Sequence, residues 1–219
     1  MVVKKAHLQT EIKIPMGSKE LTGELTLPAD AKGIVLFAHG SGSSRMSPRN
    51  QLVARFLQDT QTATLLLDLL TPEEGNVDIH TREWRFNIPL LTERLLSATD
   101  WISNFSETHH LTIGYFGAST GAAAALCAAA EMGPPIRALV SRGGRPDLAG
   151  QALSRVSCPT LLIVGGNDHG VIELNQHALD LLQCPKKLEV IPGATHLFEE
   201  SGTLEEVGRM ASLWFSEYL

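Results

Sequence analysis

Residues 117–121 read Gly-Ala-Ser-Thr-Gly, between the apolar run that ends at Phe116 and an alanine-rich stretch that begins at Thr120. A serine with a glycine two residues to either side, at a strand-to-helix junction, suits a nucleophilic hydroxyl presented on a sharp turn. Such a turn holds the serine in an unfavourable backbone conformation at a cost of about 1–3 kcal/mol. Neighbours without side chains relieve the crowding that follows. A serine hydroxyl is a weak nucleophile at neutral pH, so the chemistry also needs an imidazole base that a carboxylate orients. The common alternative for Ser119 is a plain helix cap.

Candidates for the two partners follow in chain order. Asp168 closes Gly165-Gly166-Asn167-Asp168 after the apolar run Thr160–Val164, and His196 closes Pro192-Gly193-Ala194-Thr195-His196 after the run that ends at Ile191. Both fall in loops just beyond the carboxyl ends of expected strands, where open parallel sheets gather their ligand sites. The order Ser, Asp, His is compatible with that arrangement. Asp147, in Gly143-Gly144-Arg145-Pro146-Asp147, is a rival acid, and Asp168 could instead cap a helix near Val171. His109 and His110 precede a strand at its opposite end, His7 lies in a hairpin, and His80 and His177 have no evident partner. His169 adjoins Asp168 too closely to be the base that Asp168 orients. No third ligand at a usual spacing accompanies His109-His110 or Asp168-His169, so no metal site is expected.

Acyl transfer also needs backbone donors where negative charge develops. The Thr120 amide, at the start of the alanine-rich helix, and the Ser41 amide, in His39-Gly40-Ser41-Gly42-Ser43-Ser44, are the expected pair. His39 reads as a hydrogen bonder that orders this loop. The glycine-rich stretch lacks both the Lys-Ser/Thr ending of a phosphate-binding P-loop and the G-x-G-x-x-G spacing of a dinucleotide site. Arg45, Arg49, Arg142 and Arg145 stand near the same strand ends and could hold a substrate anion, although loop bracing is the commoner use of arginine there.

The elements that must position these residues are legible as patterns. Residues 7–14 and 20–27 alternate polar and apolar side chains around Met16-Gly17-Ser18-Lys19, which predicts an antiparallel hairpin. Gly33–Ala38, Ala63–Leu67, Leu111–Phe116, Ala138–Ser141, Thr160–Val164 and Lys187–Ile191 are short apolar runs without alternation, as strands buried on both faces require. Helical spacing marks Asn50–Leu57, Asn87–Phe105, Thr120–Met132, Glu173–Leu182 and Thr203–Tyr218, with Pro89 in a first turn. Alternation of this kind predicts an α/β protein: a mostly parallel sheet covered on both faces, with the hairpin as its antiparallel edge. No repeat, low-complexity tract or linker divides the 219 residues, which points to one domain, 1–219.

Composition narrows the class further. A net charge of −6, with no basic run, argues against electrostatic nucleic-acid binding. Three cysteines, Cys127, Cys158 and Cys184, without paired spacing suit a reducing compartment rather than a disulfide scaffold. The start, Met1-Val2-Val3-Lys4-Lys5-Ala6-His7, turns polar too early for a signal-peptide core, and no apolar run approaches a membrane span. A cytoplasmic location, without membrane or nucleic-acid partners, is the expectation.

The set His39-Gly40-Ser41-Gly42, Gly117–Gly121, Gly165–Asp168 and Gly193–His196 resembles the dienelactone-hydrolase-related branch of the α/β-hydrolase superfamily across almost the whole chain. Residues 44–50, 66–71, 141–147 and 196–200 resemble it too. The resemblance implies the α/β-hydrolase fold, esterase or lactonase activity on a small-molecule substrate, no cofactor, and a triad of Ser119, Asp168 and His196. Dienelactone hydrolases proper carry a cysteine nucleophile where this chain has Ser119, so a simple carboxylesterase is the expectation rather than a dienelactone-specific enzyme. His169-Gly170 directly after Asp168 is a second departure, one that would loosen the acid loop. Cap domains of the superfamily commonly lie between strands six and seven. Only about eighteen residues separate Ser141 from Thr160, so no large cap and a shallow pocket for short acyl groups are expected. An acyltransferase using the same acyl-enzyme, or a catalytically silent binding or assembly module, remain as alternatives. The oligomeric state is not legible in the sequence.

Overall fold

The computed structural model describes residues 7–219, with side chains from Leu8 onward. The polar start Met1–Ala6, read above as unlike a signal peptide, lies outside the described residues. Eight strands form one sheet in the order β1-β2-β4-β3-β5-β6-β7-β8. They are β1 (His7–Met16), β2 (Lys19–Pro28), β3 (Gly33–Ala38), β4 (Ala63–Leu67), β5 (Thr112–Ala118), β6 (Ile136–Arg142), β7 (Thr160–Gly165) and β8 (Lys186–Ile191). β1 and β2 make the expected edge hairpin around Gly17-Ser18, β2 joins β4 antiparallel, and every later pairing is parallel.

The unbroken apolar runs have a direct physical reason. In β3, Ile34, Leu36 and Ala38 enter the core on one face while Val35 and Phe37 enter the core on the other, and the whole strand is buried. Period two without a solvent side leaves no place for a polar residue. α1 (Pro48–Asp59) and α6 (Thr203–Tyr218) pack together over one face; α3 (Ile88–Asn104), α4 (Thr120–Met132) and α5 (His169–Leu181) cover the other. The alanines of α4 let it lie tightly on the sheet, with Ala122 to Ala125 fully buried.

Two elements go beyond the sequence reading. α2 (Pro72–Thr81) stands between β4 and α3, and a 3-10 segment, Pro146–Arg155, fills the β6–β7 connection. α2 lacks an apolar stripe: the side chains it buries are Glu74 and Asp78. It is fixed by a capping box, in which Thr71 accepts from the Glu74 amide and Glu74 accepts from the Thr71 amide, and by ion pairs of Glu74 with Lys19 and Arg94. Among the described residues no helix is long and apolar enough to cross a membrane, and the three cysteines are free thiols.

Candidate active site

Ser119 joins β5 to α4 with φ 51° and ψ −121°, a left-handed conformation that a residue with a side chain adopts only when its surroundings impose it. The surroundings do so with three backbone hydrogen bonds. The Ser119 amide donates to the Arg142 carbonyl at 3.2 Å, and the Ser119 carbonyl accepts from the Ala122 and Arg145 amides at 3.1 Å each. The turn is tight enough that a Cβ on Gly121 would stand 2.2 Å from the Ala38 carbonyl oxygen and 2.5 Å from that of His39. The Ser119 hydroxyl makes no capping hydrogen bond to α4, which removes the helix-cap alternative.

Asp168 and His196 meet. The His196 Nδ1–H donates to Asp168 Oδ2 at 2.6 Å, which leaves Nε2 as the free nitrogen of the ring. Asp168 still opens α5, through its backbone carbonyl, which accepts from the Val171 and Ile172 amides, so its carboxylate is not engaged as a cap. The expected looseness after Asp168 is countered in the structure. His169-Gly170 form the first turn of α5, and the loop before it is stitched to the His196 loop. The Asn167 amide donates to the Ala194 carbonyl at 2.9 Å and its side chain to the Gly193 carbonyl at 2.9 Å. A Cβ on Gly165 would stand 2.4 Å from the Ala194 carbonyl oxygen, so glycine alone allows this approach. The rival acid Asp147 is occupied elsewhere, in a bidentate pair with Arg145 at 2.8 and 2.7 Å, and those hydrogen bonds hold its pKa below the ordinary range.

Ser119 and His196 line one cleft of about 210 Å³, together with Gly40, Ser41 and Arg142, and no hydrogen bond joins the two side chains. Of the two expected oxyanion donors, Thr120 is the first residue of α4, where an amide has no acceptor within its helix. The Ser41 amide has no backbone acceptor among the described residues. His39 orders this loop: Nε2 accepts from the Leu69 amide at 3.0 Å and Nδ1–H donates to the Gly40 carbonyl at 2.9 Å. Burial lowers its pKa and keeps the ring neutral.

Residues to which the sequence assigned no role also shape the site. Glu200 accepts from the Thr195 hydroxyl at 2.7 Å and the Thr195 amide at 3.0 Å, bracing the His196 loop. The same contacts hold its pKa low. The adjoining groove, about 610 Å³, runs from Gly40–Pro48 to the α2 residues Gly75, Asn76 and Ile79 and to Arg85. A capping pattern at Thr71-Pro72-Glu73-Glu74 was the available signal for α2. A separate groove, about 760 Å³ beside Trp101 and Phe105, holds none of the candidate site residues.

The four arginines divide. Arg45 pairs with Asp68 and Glu11, and Arg145 with Asp147, so both brace loops. Arg49 makes only a 3.5 Å contact with the exposed Glu199. Arg142 has no ion pair among the described residues. Its desolvation, and to a lesser extent Arg49, push its pKa down to about 10, which leaves it a cation at neutral pH.

No family model matches the chain. Two curated relatives from Mycobacterium tuberculosis strains, each named "Putative phosphoribosyl transferase", are 53% identical over 209 residues, 95% of this chain and 46% of each relative. The chain therefore spans about half the length of the curated relatives it matches. Est1E from Butyrivibrio proteoclasticus shares the fold at TM-score 0.78 and 18% identity, over 94% of this chain and 98% of that one. A crystal structure of a dienelactone hydrolase from Anabaena variabilis superposes at TM-score 0.96 with 55% identity, over 97% of this chain and 99% of that one. At that identity over two full lengths, the chain belongs to the dienelactone-hydrolase-related branch of the α/β-hydrolase superfamily.

Proposed function

We propose that the chain acts as a serine hydrolase that cleaves small carboxylic esters or lactones through an acyl-enzyme on Ser119. One observation carries the reading. A strained serine, with its hydroxyl uncommitted to the helix, lines the same cleft as an imidazole that already donates to a carboxylate. In this reading His196 Nε2 takes the Ser119 proton as the hydroxyl oxygen attacks the ester carbon. Asp168 keeps Nδ1–H in place and stabilises the imidazolium that results. The carbonyl oxygen, now negative, accepts from the Ser41 and Thr120 amides. His196 returns the proton to the departing alkoxide, and water then repeats the sequence to release the acid.

The small cleft and the absence of a large β6–β7 insertion support short acyl groups over long chains. The name carried by the M. tuberculosis relatives describes proteins about twice as long; the residues gathered in this half support acyl chemistry. Fluorophosphonate labelling followed by peptide mapping tests the reading, with Ser119 as the expected adduct site. Ser119→Ala is expected to keep the fold and lose roughly several hundredfold or more in rate. Undiminished hydrolysis by that variant would place the chemistry elsewhere.

A further inference from the structure

β8 ends the sheet, and among the described residues no strand pairs with its outer edge. The pairing with β7 fixes which groups that edge carries. The Pro185 carbonyl accepts from the Thr160 amide and the Ile191 carbonyl from the Gly166 amide, so the odd-numbered residues turn their backbone groups toward β7. The N–H and C=O groups of Lys186, Leu188 and Val190 therefore point outward, where a further strand could extend the ladder.

The side chains along this edge are not those of a strand guarded against pairing. Lys187 and Glu189 lie on the α6 face and pair with each other at 2.6 Å. They border a groove of about 270 Å³ with Met210, Leu213 and Trp214 of α6. Leu213 is 60% exposed there, and Val190, on the other face of the strand, 41%. Charges protect an edge when an incoming strand sets like charges opposite them. Here the two charges have opposite signs and flank Leu188 symmetrically. An antiparallel copy of β8 with Leu188 facing Leu188 sets each Lys187 against Glu189 of the other copy.

Neighbouring registers lose this match. Centring the pair on residue 187 or 189 puts like charges face to face. Centring it on 190 sets Leu188 against Pro192, which has no N–H to donate, and centring it on 186 sets Leu188 against Cys184, outside the strand. In the Leu188 register every outward-facing residue of β8 is paired, and Lys187 meets Glu189 at a non-hydrogen-bonded position, where opposed side chains lie closer. The two-fold axis stands perpendicular to the sheet, so both α6 helices share one face and the exposed Leu213 side chains flank the junction.

We propose that β8 is the interface of a homodimer, in which two copies join edge to edge in antiparallel register about Leu188, held by reciprocal Lys187–Glu189 pairs and by apolar contact from Leu213. Nothing in this interface depends on Ser119.

Sedimentation velocity of the 219-residue chain between about 1 and 100 µM is the test, with a dimer expected for the wild type. Lys187→Glu and Glu189→Lys each bring like charges together twice across the axis, and each is expected to weaken the dimer about tenfold or more. The double variant Lys187→Glu/Glu189→Lys restores opposite charges and is expected to return to within about threefold of wild type. An equimolar mixture of the two single variants is expected to form a heterodimer at concentrations where each alone is monomeric, an outcome that the ion pair within one strand cannot produce. Leu213→Ser, which changes an exposed side chain, is expected to weaken the dimer severalfold. A wild type that stays monomeric throughout, or that forms a larger assembly, would overturn the interface. So would a dimer indifferent to both charge reversals, or a mixture of the single variants that stays monomeric.

Discussion

Gly121→Ala probes the geometry of the elbow directly. The added methyl would lie 2.2 Å from the Ala38 carbonyl oxygen, 2.5 Å from the His39 carbonyl oxygen and 2.6 Å from the Ala38 carbonyl carbon. Ordinary contact is about 3.5 Å, so the end of β3 and the start of α4 must separate by about 1 Å. Neither side can yield cheaply, because Ala38 closes a fully buried strand and α4 is packed along its length. Overpacking of this kind costs about 1–3 kcal/mol, which a domain of ordinary stability survives. The displaced segment leads into Gly40 and Ser41, so the proposed Ser41 donor moves with it. Loss of one such donor costs about 10²–10³ in kcat. Urea denaturation and steady-state hydrolysis of a short 4-nitrophenyl ester measure the two effects separately. A variant with wild-type denaturation midpoint and a rate within about threefold of wild type would refute the claim that this packing sets the oxyanion donor.

Further expectations follow from the same geometry. Gly75→Ala in α2, where a Cβ meets nothing within 4 Å, should stabilise by roughly 0.5–1 kcal/mol and serves as the control for Gly121. Asp168→Asn should lower kcat by about 10² or more while Asp147→Asn stays within about threefold; steady-state kinetics showing the reverse would transfer the acid role. Desolvation pushes the Glu74 pKa up, but Lys19, the Thr71 amide and Arg94 outweigh it, and the net value is low. A depressed carboxylate contributes stability that is full above its unfolded value of about 4.3 and is lost as pH falls through the folded value. Glu74→Gln should therefore cost roughly 3 kcal/mol at pH 7 by stranding Arg94, and should flatten the acid limb of the stability curve. Equal denaturation midpoints for the two proteins at pH 7 would contradict this. Burial raises the pKa of all three thiols, Cys158 to about 12, so alkylating reagents at neutral pH should leave hydrolysis intact, whereas a cysteine nucleophile would be silenced.

Much of the scaffold was written along the chain because its signals are local. A strand with two buried faces has to be apolar throughout, so β3 to β7 show as apolar runs; β1 alternates because one of its faces is exposed, whereas β2 alternates in sequence although its Thr22 and Thr26 are buried. A serine elbow needs small residues at fixed offsets, which is why Gly117 and Gly121 mark Ser119 as a candidate before any fold is known. β8 departs from the reading of residues 187–191 as a run buried on both faces: it carries Lys186, Lys187 and Glu189, and as an edge strand it buries only Ile191 of its six side chains. α2 escaped notice because it is held by charge rather than by an apolar stripe, and its Glu74 finds Lys19 and Arg94 across 55 and 20 residues.

The choice between the two acids and among the four arginines belongs to the tertiary structure alone. Asp147 and Asp168 occupy equivalent loops, and Arg45, Arg49, Arg142 and Arg145 look alike in the sequence. Asp168 reaches His196 across 28 residues, Arg45 finds Glu11 across 34, and Arg142 reaches no carboxylate among the described residues. Whether a charge is satisfied depends on what distant strands deliver to within about 4 Å, since the interaction falls off with distance and with access to water. Residue type and spacing determine which groups can react; only the packed chain decides which of them are left free to do so.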